Sequence, residues 1–308
     1  MYVDGHPLDR FRGKSMNQDL LTPFRIQFEK ELLSAISLMG EKSALRDACE
    51  YSLTNGGKRL RPLIVMLVAD ALGHGLDVMP VSLGVEYFHT ASLIADDLPC
   101  MDNDDERRSR AALHKVFHES VALLASYSLI SAGYESIYRN GQIMKKHPLF
   151  AYQSDAASVL ALEAVSECAG ILGATNGQFL DLFPPDHSLE TILKIIRQKT
   201  VSLFQLSFSL GWLFGGGDPS KLSEVKTCAA HMGLAFQIAD DLQDDIQDRE
   251  QQSEINIATV CGHDYASNLF IQEMKSFEAS LQKLNLFTAP FQQAVQLLWS
   301  LCPSEVKE

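Results

Sequence analysis

What this 308-residue chain lacks narrows its class before any motif is read. Its six cysteines (Cys49, Cys100, Cys168, Cys228, Cys261, Cys302) include no CxxC pair. That excludes a zinc ribbon and a dense disulfide framework, and it points to free thiols in a reducing compartment. No basic-then-apolar leader opens the chain, so a secreted fate is not indicated. Positive charge is scarce: 26 Lys and Arg stand against 39 Asp and Glu, for a net charge of −13. Such a balance disfavours sequence-independent nucleic-acid binding, which needs cations against phosphates. No glycine-rich phosphate loop follows a strand; Gly215-Gly216-Gly217 runs into Asp218-Pro219, a turn. Sustained strand alternation, hairpin turn signals, fixed-period repeats and low-complexity linkers are all missing. The longest uncharged stretch, Val201 to Gly217, carries Ser202, Gln205, Ser207 and Ser209 and is short for a membrane span, so it reads as a buried helix. These absences leave the expectation of a soluble, cytoplasmic protein with no membrane span and no nucleic-acid partner.

What is present is apolar helical pattern. Hydrophobic residues make up 46% and charged residues 21%, enough for a large core. Residues 1–19 show no period and contain Gly5, Pro7 and Gly13, so a flexible arm is expected there, with Met16 as a second candidate start. From Leu20 onward helical spacing is nearly continuous. It covers Leu20 to Ile36, Leu45 to Leu53, Lys58 to Gly73, Met79 to Leu98 and Leu113 to Ile137. It continues over Ser154 to Leu172, Gln178 to Leu182, Leu189 to Leu213, Ser220 to Asp248, Ala266 to Leu284 and Pro290 to Leu301. The expectation is one all-α domain over residues 20–308, about ten helices joined by short loops.

Two acidic stretches interrupt this pattern. The first is Asp96-Asp97-Leu98-Pro99-Cys100-Met101-Asp102-Asn103-Asp104-Asp105-Glu106, entered from apolar Leu93-Ile94-Ala95. So many like charges repel one another unless a cation sits among them; a solvated acidic turn is the plainer alternative. Asp96 and Asp102 would not share a face on a regular helix. Pro99 removes a backbone donor and crowds the carbonyl of Ala95, so a local bulge or a helix end there would return Asp102 to the side of Asp96. The second stretch is Asp240-Asp241-Leu242-Gln243-Asp244-Asp245. Asp240 and Asp244 are i and i+4 on one helix face, after apolar Ile238 and Ala239. Oxygen-only ligands of this kind suit Mg²⁺ shared with a substrate phosphate.

Cations complete the pattern. Gly56-Gly57-Lys58-Arg59-Leu60-Arg61-Pro62 places three of them at a helix start, where backbone N–H groups also favour an anion. Arg107-Arg108 follows the first acidic stretch, and His89 lies about two helical turns before Asp96. Metal sites beside separate cationic sites indicate diphosphate chemistry on a substrate with an apolar tail.

On these residues the chain resembles the trans-isoprenyl diphosphate synthases, the family of farnesyl and geranylgeranyl diphosphate synthases. The matching segments are GGKRLRP (56–62), EYFHTASLIADDLPCMDNDDERR (86–108), GQFLDL (177–182), QKT (198–200) and GLAFQIADDLQD (233–244), in family order. The resemblance implies an isoprenoid-synthase helical bundle around a central cavity, usually a homodimer. It implies three Mg²⁺ ions held through Asp96, Asp102, Asp240 and Asp244, with Asp97 and Asp241 orienting that shell. Arg107, Lys199 and Gln237 match positions near the allylic diphosphate (dimethylallyl, geranyl or farnesyl). Lys58, Arg61, His89 and Arg108 match the isopentenyl diphosphate site, and Phe236, Thr200 and Gln237 match groups that shield a carbocation.

The chain departs from the family pattern at Ala95, at Ser109-Arg110-Ala111-Ala112 after the arginines, at Val201, and in the lysine-free stretch from Asp245 to Glu254. A non-catalytic regulatory homologue is the alternative these departures motivate. A terpene cyclase is opposed by the retained isopentenyl-side cations, and a purely structural helical protein by the paired acidic motifs. Ala91, five residues before Asp96, is small, which favours geranylgeranyl over farnesyl product.

Overall fold

The computed structural model describes residues 19–247 and 256–302, the side chains of 244–247 excepted. The expected arm thus lies outside the described residues but for Asp19, as do the side chain of Asp244 and most of the lysine-free stretch. Among the described residues there are fourteen α-helices. They are α1 (Thr22–Ser37), α2 (Ala44–Leu53), α3 (Leu60–Leu72), α4 (Met79–Asp96), α5 (Leu113–Phe117), α6 (Glu119–Met144) and α7 (Ser154–Ala169). The second half holds α8 (Ala174–Leu182), α9 (Leu189–Ile196), α10 (Ser202–Phe214), α11 (Leu222–Gln247), α12 (Ile257–Cys261), α13 (His263–Lys283) and α14 (Ala289–Leu301).

The uncharged stretch sets the architecture. A helix that is apolar all round must be covered on every side, and every residue of α10 except Gln205 is buried. α3, α4, α7 and α11 surround it. Phe204, Phe208 and Phe214 are fully enclosed, and Phe208 meets Phe277 of α13 and Phe291 of α14 at centroid distances of 6.2 and 6.0 Å. One stretch, Ala151–Leu182, is long and apolar enough to cross a membrane by composition, but the turns at Gly170 to Gly173 break it into α7 and α8.

This packing brings three chain ends together. α4 and α11 each carry an acidic stretch toward the C-terminal end, and the basic turn enters α3. Helix α3, expected from Lys58, starts at Leu60, with Arg59 as a left-handed N-cap (φ 50°). The expected helix over Leu113 to Ile137 is divided at His118, whose φ of 69° no helix tolerates. α12 was not expected; its Asn256–Thr259 capping box is short and polar.

The all-α expectation holds among the described residues, with a short two-stranded hairpin added between α4 and α5. β1 (Glu106–Arg107) pairs antiparallel with β2 (Arg110–Ala111), with Arg107 opposite Arg110. Its turn residues Arg108 and Ser109 both have positive φ, 54° and 60°, as a type I′ turn requires. The usual Asn-Gly signal is missing, so nothing in the residue pattern announces the hairpin. The tertiary contacts of Arg107 and Arg108 hold a turn that costs each residue about 1–2 kcal/mol locally. Ser109→Gly is therefore predicted to stabilise the protein by about 1 kcal/mol, read as a higher urea midpoint with an unchanged m-value.

Candidate active site

Helix α4 ends where Pro99 lacks an N–H. Leu98 N–H still reaches Ala95 O at 3.2 Å, and the chain then turns so that Asp102 N–H donates to Asp96 O at 2.9 Å. Of the bulge and the helix end expected around Pro99, the helix end is present, and one backbone bond ties the two aspartates together. Burial pushes the Asp96 carboxyl up to about 7; Lys199 and Arg107 pull it down while Asp102 and Asp97 add to the rise. Asp97 is taken by Arg107, whose Nε donates to its Oδ1 at 2.8 Å and whose Nη2 also reaches Asp104 at 2.9 Å. Gln178 of α8 donates to Asp102 Oδ1 at 2.9 Å.

Facing these carboxylates is a π-helical turn, Arg197–Val201, between α9 and α10. The wider turn presents Lys199 and Thr200 side by side at the cavity wall. α8 lies hard against it: a Cβ on Gly177 would fall 2.2 Å from Lys199 N and 2.6 Å from its Cα. From α8, Asp181 accepts from Lys199 Nζ at 2.5 Å. Thr200 donates to Gln237 Oε1 at 2.8 Å, Gln237 Nε2 donates to Asp241 Oδ1 at 2.8 Å, and Ile257 N–H of α12 donates to Asp241 Oδ2 at 3.2 Å. Asp241 is thus held between α11 and α12. Asp240 has no hydrogen bond or ion pair among the described residues, and its charge is felt at Arg61.

The third wall is cationic. Lys58 Nζ sits 5.4 Å from the Phe236 ring centre and the Arg61 guanidinium 4.8 Å from that of Phe204, and the two rings are 5.4 Å apart. Phe236 therefore carries Lys58 and lines a small apolar hollow with Leu63, Met232 and Leu297, apart from the deep cavity. Arg61 Nη1 donates to His89 Nε2 at 3.3 Å; arginine cannot accept, so Nε2 is the unprotonated nitrogen. Burial, with Arg61 and Arg108 nearby, holds His89 neutral, well below its usual range. The Arg108 guanidinium lies on Gly57, where a side chain would collide with it, and donates to Gly56 O. Asn55 Nδ2 secures the Arg107 carbonyl at 2.8 Å. Among the described residues Lys58, Arg61 and Arg108 have no salt-bridge partner. Lys58 and Arg61 are half-buried and Arg108 is exposed; cations placed together without carboxylates are a standing site for an anion.

Between the walls is a cavity of about 750 Å³. Its polar lining is Arg61, His89, Asp96, Lys199 and Thr200, and its apolar walls include Phe88, Ala91, Ile130, Tyr134, Val165 and Leu203. At the floor Phe88 meets Tyr134 edge-on at 5.5 Å. A second hollow of about 400 Å³ shares Lys199 and Thr200 and adds Asp102, Asp181, Gln237 and Asp241. Among the described residues no three carboxylate, imidazole or thiol groups converge as a self-sufficient metal cage. Hard oxygen donors, with Asp96 half-buried and without a salt bridge among the described residues, fit Mg²⁺, which takes one or two carboxylates and completes its shell with water and phosphate.

Sequence reasoning assigned no role to Gln178 and Asp181. They are i and i+3 on α8, which puts both on the face that meets the site. That spacing inside GQFLDL was the available signal.

An all-α bundle whose cavity is acidic on one side of the mouth, cationic on the other and apolar below defines a site for a diphosphate with a hydrocarbon tail. The comparisons place it further. A family model described as polyprenyl synthetase matches residues 42–288, and the chain belongs to that family. It is 36% identical over 243 residues to farnesyl diphosphate synthase of Geobacillus stearothermophilus, covering 78% of this chain and 77% of that one. It is 38% identical over 225 residues to the heterodimeric geranylgeranyl pyrophosphate synthase large subunit 1, chloroplastic, of Arabidopsis thaliana, covering 70% of this chain and 57% of that one. The crystal structure of geranyltransferase from Legionella pneumophila superposes with a TM-score of 0.76 at 26% identity, over 93% of this chain and 96% of that one.

Gly177→Ala is predicted to push α8 off the π-helical turn and disorder Lys199 and Thr200. Catalytic turnover should fall by about a hundredfold, measured against an unchanged far-UV circular dichroism spectrum.

Proposed function

We propose that the protein is a Mg²⁺-dependent short-chain prenyltransferase that condenses isopentenyl diphosphate with allylic diphosphates. The carrying observation is the mouth of the large cavity. Asp96, Lys199 and Arg61 line it together above apolar walls, Asp102 lines the adjoining hollow that shares Lys199, and Lys58 and Arg108 near the start of α3 carry no salt bridge among the described residues. Asp96, Asp102 and Asp240 would hold Mg²⁺, which when bound neutralises the leaving diphosphate. Lys199, beside both Asp96 and Asp102 in the field it creates, adds fixed positive charge for the allylic diphosphate, and Arg107 flanks it. Lys58, Arg61, His89 and Arg108 receive the isopentenyl diphosphate. The allylic C–O bond breaks with its electron pair on the diphosphate, the isopentenyl double bond supplies the pair for the new C–C bond, and the proton lost from the isopentenyl carbon passes to the released diphosphate. The Thr200 and Gln237 oxygens lie beside the mouth, where partial negative charge stabilises the allylic cation.

Product length depends on cavity depth. Ala91 is almost fully buried and lines the cavity beside α6, where Ser126 Oγ donates to Ala91 O at 2.9 Å. Its small side chain leaves the cavity open down to the Phe88–Tyr134 pair, which supports geranylgeranyl product over farnesyl. Purified protein given isopentenyl diphosphate and each allylic primer is expected to make geranylgeranyl diphosphate in the presence of Mg²⁺ and nothing in its absence. Asp96→Ala is expected to lower turnover by about a thousandfold or more with the fold intact. A dominant farnesyl product would overturn the Ala91 reading, and no condensation by the purified chain alone would favour a regulatory homologue.

We further propose a homodimer. α6 exposes Leu123, Leu124, Tyr127, Tyr134 and Tyr138, and α7 exposes Val159 and Leu162. The α6 residues recur at helical spacing, as an interface stripe does, and Tyr134 belongs at once to this stripe and to the cavity floor. Sedimentation is expected to give a dimer, and Tyr127→Glu a monomer.

A further inference from the structure

Arg59 lies between Lys58 and Arg61 in sequence, yet it points the opposite way. Its side chain is 1% exposed. The guanidinium donates Nε to Glu29 of α1 at 2.8 Å, Nη1 to Glu86 of α4 at 2.5 Å and Nη2 to Leu53 O of α2 at 2.6 Å. Its own carbonyl accepts the first bond of α3, from Leu63 N–H at 3.1 Å. One planar fork therefore joins the start of α3 to three other helices, which a lysine could not do.

The partner that matters is Glu86. It is 1% exposed and lies three residues before His89 on α4. Only its Oε1 is bonded; Oε2 is buried with no hydrogen-bond partner. Arg61 likewise has a buried Nε with no partner. The charge of Glu86 is felt at both Arg61 and Arg108. A buried carboxylate with a spare lone pair thus sits near two arginines that stand ready for an anion. Such a carboxylate takes the best fork offered to it.

We propose that Arg59 is a positioning residue that occupies Glu86 and so keeps Arg61 available to the isopentenyl diphosphate. Without Arg59, Glu86 turns its unsatisfied oxygen on Arg61 and withdraws that guanidinium from the cavity rim. The proposal rests on the reading of Lys58, Arg61, His89 and Arg108 as the isopentenyl diphosphate site.

Calorimetric titration with isopentenyl diphosphate, together with separate KM values for isopentenyl and allylic substrates, tests it. Arg59→Met is expected to weaken isopentenyl diphosphate binding about tenfold or more, with the allylic KM within about twofold of the parent. The double variant Arg59→Met/Glu86→Gln removes the competing charge and is expected to regain most of the lost affinity. If Arg59 acts only as a structural brace, the double variant stays as weak as the single one, and that result overturns the proposal. Should Arg59→Met fail to fold, Glu86→Gln alone decides. Affinity equal to or tighter than the parent supports the proposal, and a loss of about tenfold or more overturns it. A parent protein that does not itself bind isopentenyl diphosphate overturns the site reading, and the proposal with it.

Discussion

Charges of opposite sign, part-buried and kept from pairing with one another across a shared mouth, are the constraint on which this molecule depends. Left alone, carboxylates and guanidiniums a few ångströms apart collapse into salt bridges, because in a poorly hydrated site mutual attraction outweighs any other use of the charge. Here a set of bracing pairs prevents that. Arg107 holds Asp97 and Asp104, Lys199 holds Asp181, and Arg59 holds Glu86 and Glu29. Asp96, Asp240, Lys58, Arg61 and Arg108 are left without salt-bridge partners among the described residues. The braced members lie next to the unbraced ones in sequence: Asp97 follows Asp96, Arg107 precedes Arg108, Arg59 separates Lys58 from Arg61. Neighbouring residues of one type thus divide between salt-bridged and salt-bridge-free members according to which way each side chain leaves the backbone.

The scaffold makes that division possible through local backbone irregularities. Positive φ at Arg59, Arg108 and Ser109, the helix end before Pro99, and the π-helical turn at Arg197–Val201 all fall in the segments that carry the site residues, where aiming of side chains decides function. The buried α10 behind them is regular and apolar. Strain is tolerated at the mouth because the core beneath it is closely packed.

The same contrast explains what could be read from the residues alone. The bundle was legible because α10 has no charge over its length and its neighbours carry clear helical period. The bend at Pro99 was legible because proline removes a donor at a known place. The hairpin was not, since Arg108-Ser109 is held in a type I′ turn by tertiary contacts from Gly56, Gly57 and Asn55 and carries no glycine of its own. The π-helical turn leaves no residue signature; only the collision a Gly177 side chain would have with Lys199 shows how tightly it is fitted. α12 escaped notice because five residues are too few for periodicity. Its function nevertheless reaches the site, since its first N–H fixes Asp241.

Arg59 carries the lesson furthest. In the sequence it is one of three interchangeable-looking cations at a helix start, and charge counting would assign all three to one anion. The structure separates them by direction and by hydration. Lys58 and Arg61 lie on aromatic faces, which hold a cation weakly, and of the two only Arg61 is also bonded among the described residues, through Nη1 to His89. Arg59 uses its fork on two carboxylates and a carbonyl. A cation meant for a transient anion must not have a better permanent partner. Near Arg61 that condition holds only while Glu86 is occupied, so the affinity of a surface-accessible site is set by an ion pair that no substrate touches.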